Sequence, residues 1–493
     1  MTDDANRPAW QPLLEDLERR RRAARAMGGV DKLTARRRPG RLDARARVEE
    51  VCDVGSFAEL GLLAGDGATP ADAFIAGRGM IAGRTVFVGA EDVTVAGGSI
   101  GTAGATKRAR LCELARRERA PLVLILEGAG HRATNALHPH RPAPNDLQLM
   151  ADLIGRVPLV VVVAGPAAGH SALAAPMADH VIMVVGTGCL FSAGPPLVAV
   201  ATGEEIDKLT LGGVEAHAIA SGLVHEVAAD DRAALDGVRR FLSYLAAGDG
   251  AAVSTPAASG DVDERPTDAL LDLIPPNPRA PYDMRAVLEA TFDRGSLLES
   301  GPDHGGSLIT TLARLGGRPV VVVANQPLVL AGALDVPAAE KGARFIERMT
   351  AFGLPLILLA DNPGMLAGSA AERAGILRSG ARMFLAQHRA DVPKIHVTIR
   401  KAFGFGSSVM GQNAFDRQSL SLAFPTATLG GIPAGVGAAT SKADEETRDA
   451  LVANEAGGPW RLAGTVSYDD VIDPRELRNA LLGGLRGARD GPS

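Results

Sequence analysis

Two glycine-rich turns carry the residues best suited to chemistry. In the first, Val160-Val-Val-Val-Ala-Gly-Pro-Ala-Ala-Gly-His-Ser171 runs from a predicted strand into a helical stretch, Ala172–Ala178. In the second, Ile395-His-Val-Thr-Ile-Arg-Lys-Ala-Phe-Gly-Phe-Gly-Ser-Ser408 does the same before Val409. Backbone N–H groups at such a turn, and at the helix start after it, have no intrahelical acceptor and can stabilise an anion or a developing oxyanion. Close helix–strand packing is the competing reason for glycine at either place. No GxxxxGK[ST] loop occurs, and neither turn carries a dinucleotide fingerprint or a GxSxG elbow. The chemistry expected is therefore stabilisation by backbone dipoles rather than attack by a side-chain nucleophile.

Other polar clusters are less specific. His131, His138, His140 and His170 gather around one divergent loop. A His-x-His pair with a third histidine upstream fits a three-ligand zinc site, and a polar loop over a cleft fits equally well without metal. The runs Arg19–Arg22 and Arg36–Arg38 read as a solvated helix face or a subunit contact, with an anion site as the alternative. Cys52, Cys112 and Cys189 lie far apart with no CxxC pair, which argues against a zinc ribbon or a disulfide framework.

The elements that position the turns come in two copies. Asp53-Val-Gly-Ser-Phe-Ala-Glu-Leu60 returns as Asp293-Arg-Gly-Ser-Leu-Leu-Glu299. Pro121, ahead of one apolar run, corresponds to Pro355, and Pro158 to Pro393, an offset of 234 to 235 positions. So long a period is a duplicated domain, not a solenoid. Short apolar strands (Thr85–Val88, Leu122–Leu126, Leu159–Val163, His180–Val185) alternate with helical stretches (Lys107–Glu118, Asp146–Gly155, Asp230–Ala247), which predicts α/β layers with mostly parallel pairing. The expected divisions are an N-terminal helical arm over 1–50, a first domain over 51–250, a linker over 251–281 and a second domain over 282–493.

Hydrophobic residues make up 46% of the chain but aromatic ones only 4%, which predicts a core of small aliphatic side chains. A net charge of −5 does not argue for nucleic acid. No apolar run approaches the ~20 residues of a membrane span and the N-terminus lacks a signal-peptide core, so a soluble cytoplasmic protein without membrane partners is expected.

A further set of motifs is spread along the chain: Asp92-Val-Thr-Val-Ala-Gly-Gly-Ser-Ile-Gly101 with Lys107, Leu211-Gly-Gly213, His217, Ser221-Gly-Leu-Val-His225 and Tyr282-Asp-Met284. It continues through Asn325-Gln-Pro327, Lys341-Gly-Ala-Arg-Phe345, Asp361-Asn-Pro-Gly364, Gly375-Ile-Leu-Arg-Ser-Gly-Ala381 and Arg400-Lys-Ala-Phe-Gly404. On these motifs the chain, from about residue 27 to 482, resembles the carboxyltransferase (β) subunits of biotin-dependent acyl-CoA carboxylases, of the propionyl-CoA and related type. The resemblance implies two tandem crotonase-like (ClpP/crotonase) ββα-superhelix domains, the first binding the acyl-CoA and the second carboxybiotin. The implied reaction passes through a thioester enolate: carboxybiotin releases CO2, the biotin anion removes the α-proton and the enolate attacks CO2.

By the same resemblance Gly169 and His170 form one backbone oxyanion position and Phe405 and Gly406 the other. Gly130, His131, Arg132, Gly404, Ser407 and Ser408 would line the substrates, with no protein-bound metal. His170 or His131 could also hydrogen-bond the thioester or a carboxylate. The pair Arg400-Lys401 would hold substrate or carrier charge, or pair with an acid across a subunit interface. The implied partners are an α subunit carrying biotin carboxylase and the biotinylated carrier, and further copies of the chain in a trimer of dimers, since no Ala-Met-Lys-Met biotinylation motif or ATP-binding module is present.

Three departures from the family pattern stand out: Glu127-Gly-Ala-Gly-His-Arg132 for the usual Asp-Ser-Gly-Gly-Ala-Arg, Gly169-His170 for a glycine pair, and Gly404-Phe-Gly-Ser407 for Gly-Gly-Ala-Tyr. They keep two alternatives open: a malonyl- or methylmalonyl-CoA decarboxylase of the same fold, and a non-catalytic β-subunit paralogue.

Overall fold

Alternating apolar runs and glycine turns produce two sheets of the same design. The computed structural model describes residues 7–137, 145–245 and 264–487, and the chain divides into two compact units, Met1–Ala251 and Ala252–Ser493. The first unit holds β1 (Ala58–Leu60), β2 (Phe74–Ile81), β3 (Arg84–Glu91), β4 (Leu122–Leu126), β5 (Leu159–Val163), β6 (Pro166–Ala168), β7 (His180–Val184), β8 (Cys189–Phe191) and β9 (Glu226–Ala228). Its main sheet runs β1-β2-β3-β4-β5-β7-β9, with β6 paired to β8. The second unit holds β10 (Leu298–Glu299), β11 (Leu308–Leu315), β12 (Arg318–Asn325), β13 (Leu356–Asn362), β14 (Lys394–Phe403), β15 (Leu420–Ala423), β16 (Thr428–Gly430) and β17 (Asp470–Val471). Its sheet runs β10-β11-β12-β13-β14-β15-β17, with β16 on β14.

In both sheets the first three strands pair antiparallel and the rest parallel. The predicted strands Leu122–Leu126 and Leu159–Val163 form as β4 and β5 and are buried at every position, as expected of parallel strands covered on both faces. The duplicated Asp-x-Gly-Ser motif has a structural role. Asp53 accepts the N–H groups of Ala82 and Gly83 at 3.0 and 2.8 Å, at the tip of the β2–β3 hairpin. Asp293 accepts those of Gly316 and Gly317 at 3.0 and 2.7 Å, at the tip of β11–β12. All four tip residues have positive φ, the geometry of a two-residue hairpin turn that matches strand twist.

The N-terminal arm begins as α1 (Arg7–Arg25) and α2 (Val30–Arg36) and ends as α3 (Ala44–Val51). α3 is part of the first unit's core and not of a free arm: Asp43 caps it through the Ala46 N–H, and it buries Val48, Val51 and Arg47. α4 (Thr102–Glu118) packs on β2 and β3, and α5 (Asp146–Leu153) packs on α4. Of the segment 251–281, the described part, 264–281, packs on the second unit. Leu270 and Ile274 are buried in the second unit's core, and the carbonyls of Pro275, Asn277 and Ala280 accept from the Arg400 guanidinium. The prolines that read as linker composition fold this segment around a buried cation. No helix among the described residues is long and apolar enough to cross a membrane.

Candidate active site

β6 delivers the first turn. Gly169 has φ +55 and its N–H donates to Phe191 O at 2.9 Å, so that N–H is spent on the β6–β8 ladder. The next N–H, that of His170, has no acceptor among the described residues. A Cβ on Gly130 would stand 2.5 Å from Ala168 O and 3.6 Å from His170 N. Glycine there lets the loop after β4 press against the His170 turn, which brings Gly130 and His131 beside Gly169 and His170.

Charges surround this turn. Glu91, at the end of β3, accepts the Glu127 N–H at 2.8 Å, both outer nitrogens of Arg108 at 3.1 Å and the Ser171 hydroxyl. Burial raises its carboxyl above the ordinary range against the pull of Arg108. Arg108 also donates through Nε to Asp146 Oδ2 at 3.1 Å, and Asp146 Oδ1 lies 2.6 Å from His170 Nε2. Although burial alone would raise Asp146, contact with His170 and Arg108 holds it below its ordinary value. Glu127, at the end of β4, is buried and binds Arg36, Arg41 and, at 2.7 Å, Arg47 Nη1. Arg47 reaches Asp231 as well, at 2.8 Å. A Cβ on Gly165 would meet Glu127 Cγ at 2.5 Å, so Gly165 makes the room that Glu127 fills.

The arginine run Arg36–Arg38 is largely exposed, and Arg36 and Arg38 also line a cavity beside this turn. A cavity of about 410 Å³ is lined by Arg36, Arg38, Arg41, Lys208, Gly97, Ala129 and Ala168, among others. Arg36 and Arg41 are engaged with Glu127, whereas Arg38 and Lys208 have no carboxylate partner among the described residues.

β14 delivers the second turn. Gly404 again has φ +55, and Phe405 and Gly406 occupy the first turn of the helix Gly404–Val409, whose N–H groups have no i−4 acceptor within the helix. A Cβ on Gly406 would lie 2.5 Å from Asn362 Oδ1 and 2.7 Å from Gly364 Cα. Asn325 Oδ1 accepts the Asp361 N–H at 3.1 Å and Asn362 Nδ2 at 3.2 Å. Phe405 is 43% exposed, and its ring packs against Phe384 with centroids 5.8 Å apart.

Several expected site residues have other duties. Arg132 donates to Asp72 at 2.6 Å and to Ser99 Oγ and O at 3.1 and 2.9 Å, so its guanidinium braces the loop. Ser407 Oγ caps Gly404 O at 2.6 Å, and Ser408 Oγ bonds Asn413 at 3.0 Å. Arg400 and Lys401 both pair with Asp361 of the same unit, at 2.8 and 3.1 Å, instead of holding substrate or bridging subunits. Tyr282 donates to Asp361 at 2.8 Å and stacks its ring under Arg400. His131 is exposed, and His138 and His140 lie outside the described residues. Among the described residues no three His, Cys, Asp or Glu side chains form a metal-ligand group.

Glu91, Arg108 and Asp146 escaped the sequence reading because they lie on three separate elements. The one local signal was that Glu91 and Asn325 end equivalent strands, β3 and β12, with unlike chemistry.

Residues 35–486 match the carboxyl transferase domain family. The chain is 33% identical to the carboxyltransferase subunit of propionyl-CoA carboxylase from Haloferax mediterranei, over 96% of this chain and 95% of that one. It is 32% identical to the methylmalonyl-CoA decarboxylase α subunit of Veillonella parvula, over 96% and 95% of the two chains. The transcarboxylase 12S crystal structure with methylmalonyl-CoA and methylmalonic acid bound superposes with a TM-score of 0.90 at 31% identity, covering all of this chain and 98% of that one. The two units are thus tandem crotonase-like domains, and the chain belongs to the carboxyl transferase domain family and is a carboxyltransferase.

Proposed function

We propose that this chain is the carboxyltransferase subunit of a biotin-dependent acyl-CoA carboxylase. Its first unit takes the acyl-CoA and its second takes biotin borne on a partner subunit. The observation that carries the reading is the juxtaposition in the first unit. An unpaired His170 N–H stands on the turn after Ala168, and Ala168 lines a cavity whose unpaired cations are Arg38 and Lys208. Phosphates of coenzyme A need such cations, and a thioester oxygen needs such a donor.

As the thioester is converted to its enolate, negative charge grows on that oxygen, and the fixed His170 N–H strengthens its bond as it does. One preorganised donor of this kind lowers the barrier by about 3–4 kcal/mol. Gly130 and Gly169 act by shape, one admitting the neighbouring loop and the other making the turn. In the second unit the first-turn N–H groups of Phe405 and Gly406, beside the Asn362 side chain and the Gly364 backbone, suit the ureido oxygen of biotin. Biotin, when bound, supplies the carboxyl group and the base for the α-proton. A biotinylated carrier is the expected partner, and the chain is expected to assemble with copies of itself.

The test is carboxyl transfer from methylmalonyl-CoA to free biotin by the purified chain, followed by mass spectrometry of the thioester. Propionyl-CoA formed in proportion to biotin is the expected result. No transfer to free biotin or to a biotinylated carrier would overturn the reading in favour of a non-catalytic paralogue.

A further inference from the structure

The residue that offers the thioester-facing N–H also carries an imidazole, and that imidazole is held by a buried carboxylate. His170 Nε2 sits 2.6 Å from Asp146 Oδ1, and Asp146 is fixed in turn by Arg108 Nε at 3.1 Å. Ser171, the next residue, is tied to Glu91, which Arg108 also binds. The turn is thus clamped at both residues by one buried ring of Glu91, Arg108 and Asp146. With Nε2 committed to Asp146, the group left for chemistry is Nδ1, which has no partner among the described residues. His170 is partly exposed (23%) while Asp146 is buried. Covalent geometry alone puts Nδ1 within ~5 Å of the residue's own N–H, and so close to any thioester which that N–H binds.

We propose that His170, oriented by Asp146, is a proton donor to the enolate carbon, and that the chain thereby decarboxylates 2-carboxyacyl-CoA thioesters without biotin. The inference rests on the acyl-CoA reading of the first unit. The bond between the α-carbon and the carboxylate breaks, CO2 leaves, and the electron pair passes into the thioester enolate, whose oxygen is held by the His170 N–H. The α-carbon then takes the Nδ1 proton of the imidazolium and the thioester carbonyl re-forms. Neutral His170 keeps its Nε2–H on Asp146 and regains a proton from water. In sum, the 2-carboxyacyl thioester and one proton give the acyl thioester and CO2. Asp146 is a positioning residue, since it fixes the tautomer and does not touch the substrate.

The experiment uses the full chain with methylmalonyl-CoA in deuterated water, with and without free biotin. Wild type is expected to release CO2 without biotin and to place deuterium on one face of the α-carbon, giving a single enantiomer of deuterated propionyl-CoA. His170→Gly keeps the backbone donor and should lose about 100-fold in the biotin-free rate, in keeping with loss of a general acid. Added imidazole should restore part of that rate. His170→Gln keeps an N–H for Asp146 but has no acidic proton to transfer and should be equally slow, which covers the case that the glycine variant fails to fold. Wild-type transfer to biotin with no biotin-free decarboxylation would overturn this inference alone. Failure of both would overturn the acyl-CoA reading itself. Biotin-free rates in the variants equal to wild type, or racemic product from wild type, would also overturn the role of His170.

Discussion

The same turn is built twice in this molecule, once among charges and once among amides. At the end of β3 and β12 stand Glu91 and Asn325. Below the glycine turns stand Ser171, bonded to Glu91, and Gly406, packed on Asn362. At the ends of β4 and β13, Glu127 and Asp361 both answer to arginine, but from different sources. Asp361 is paired by Arg400 of the adjoining strand β14. The equivalent of Arg400 is Gly165, and Glu127 is instead paired by Arg36, Arg41 and Arg47 of the N-terminal arm. The duplicated fold supplies the turn, and the residues around it set its electrostatics. A cationic, charge-ringed turn suits a phosphate-bearing thioester that becomes an anion, and a neutral one suits a urea.

The largest effect that would break this comparison is steric. Gly406→Ala puts a Cβ into the Gly364 backbone at 2.7 Å, whereas a Cβ at Gly169 comes no nearer than 3.8 Å to Ser192 O. Gly406→Ala should lower carboxyl transfer at least about 100-fold, the cost of misplacing an oxyanion donor. Gly169→Ala pays only for its left-handed φ, about 1–2 kcal/mol, read as a fall in melting temperature. Equal damage at both turns would remove the distinction between a packing glycine and a conformational one.

Next in size is the loss of the two acids. Asp361→Asn leaves fully buried Arg400 without its only carboxylate among the described residues, and should cost about 3–5 kcal/mol in denaturant unfolding. Glu127→Gln should cost less, because Arg47 retains Asp231 and Arg36 is partly solvated. The reverse order would show that the arm, not β14, carries the greater electrostatic load.

Smaller again is substrate charge. Replacing both Arg38 and Lys208 by alanine should raise KM for the acyl-CoA about tenfold and leave kcat nearly unchanged, the pattern of uniform binding, with the difference shrinking at high salt. The smallest expected effect is acid stability. The folded Asp146 carboxyl lies below its ordinary 3.8. Its contribution is therefore complete above that value and is lost as pH falls through the lower, folded value. Asp146→Asn should flatten this part of the acid-unfolding curve and leave the rest in place.

Much of the frame was legible because it is local. Leu122–Leu126 and Leu159–Val163 announce buried strands by unbroken branched and aliphatic runs, and the two glycine turns follow strands in the expected order. What the sequence concealed depends on distance along the chain. Arg36 and Glu127 are 91 positions apart, and nothing near either tells of the other. Arg132 and Arg400 stand in motifs of the resemblance, while their partners, Asp72 and Asp361, are set by the fold. Gly169 was credited with a donor that β8 consumes, since ladder pairing between three-residue strands leaves no periodic trace.

The most direct test of the two-turn account is amide hydrogen exchange on the wild-type protein, alone and with methylmalonyl-CoA or free biotin. The account predicts that the thioester slows exchange most around Arg36–Arg41 and His170, and that biotin slows it most across Phe405–Ser408. Equal or greater protection of Phe405–Ser408 by the thioester, with none at His170, would contradict it.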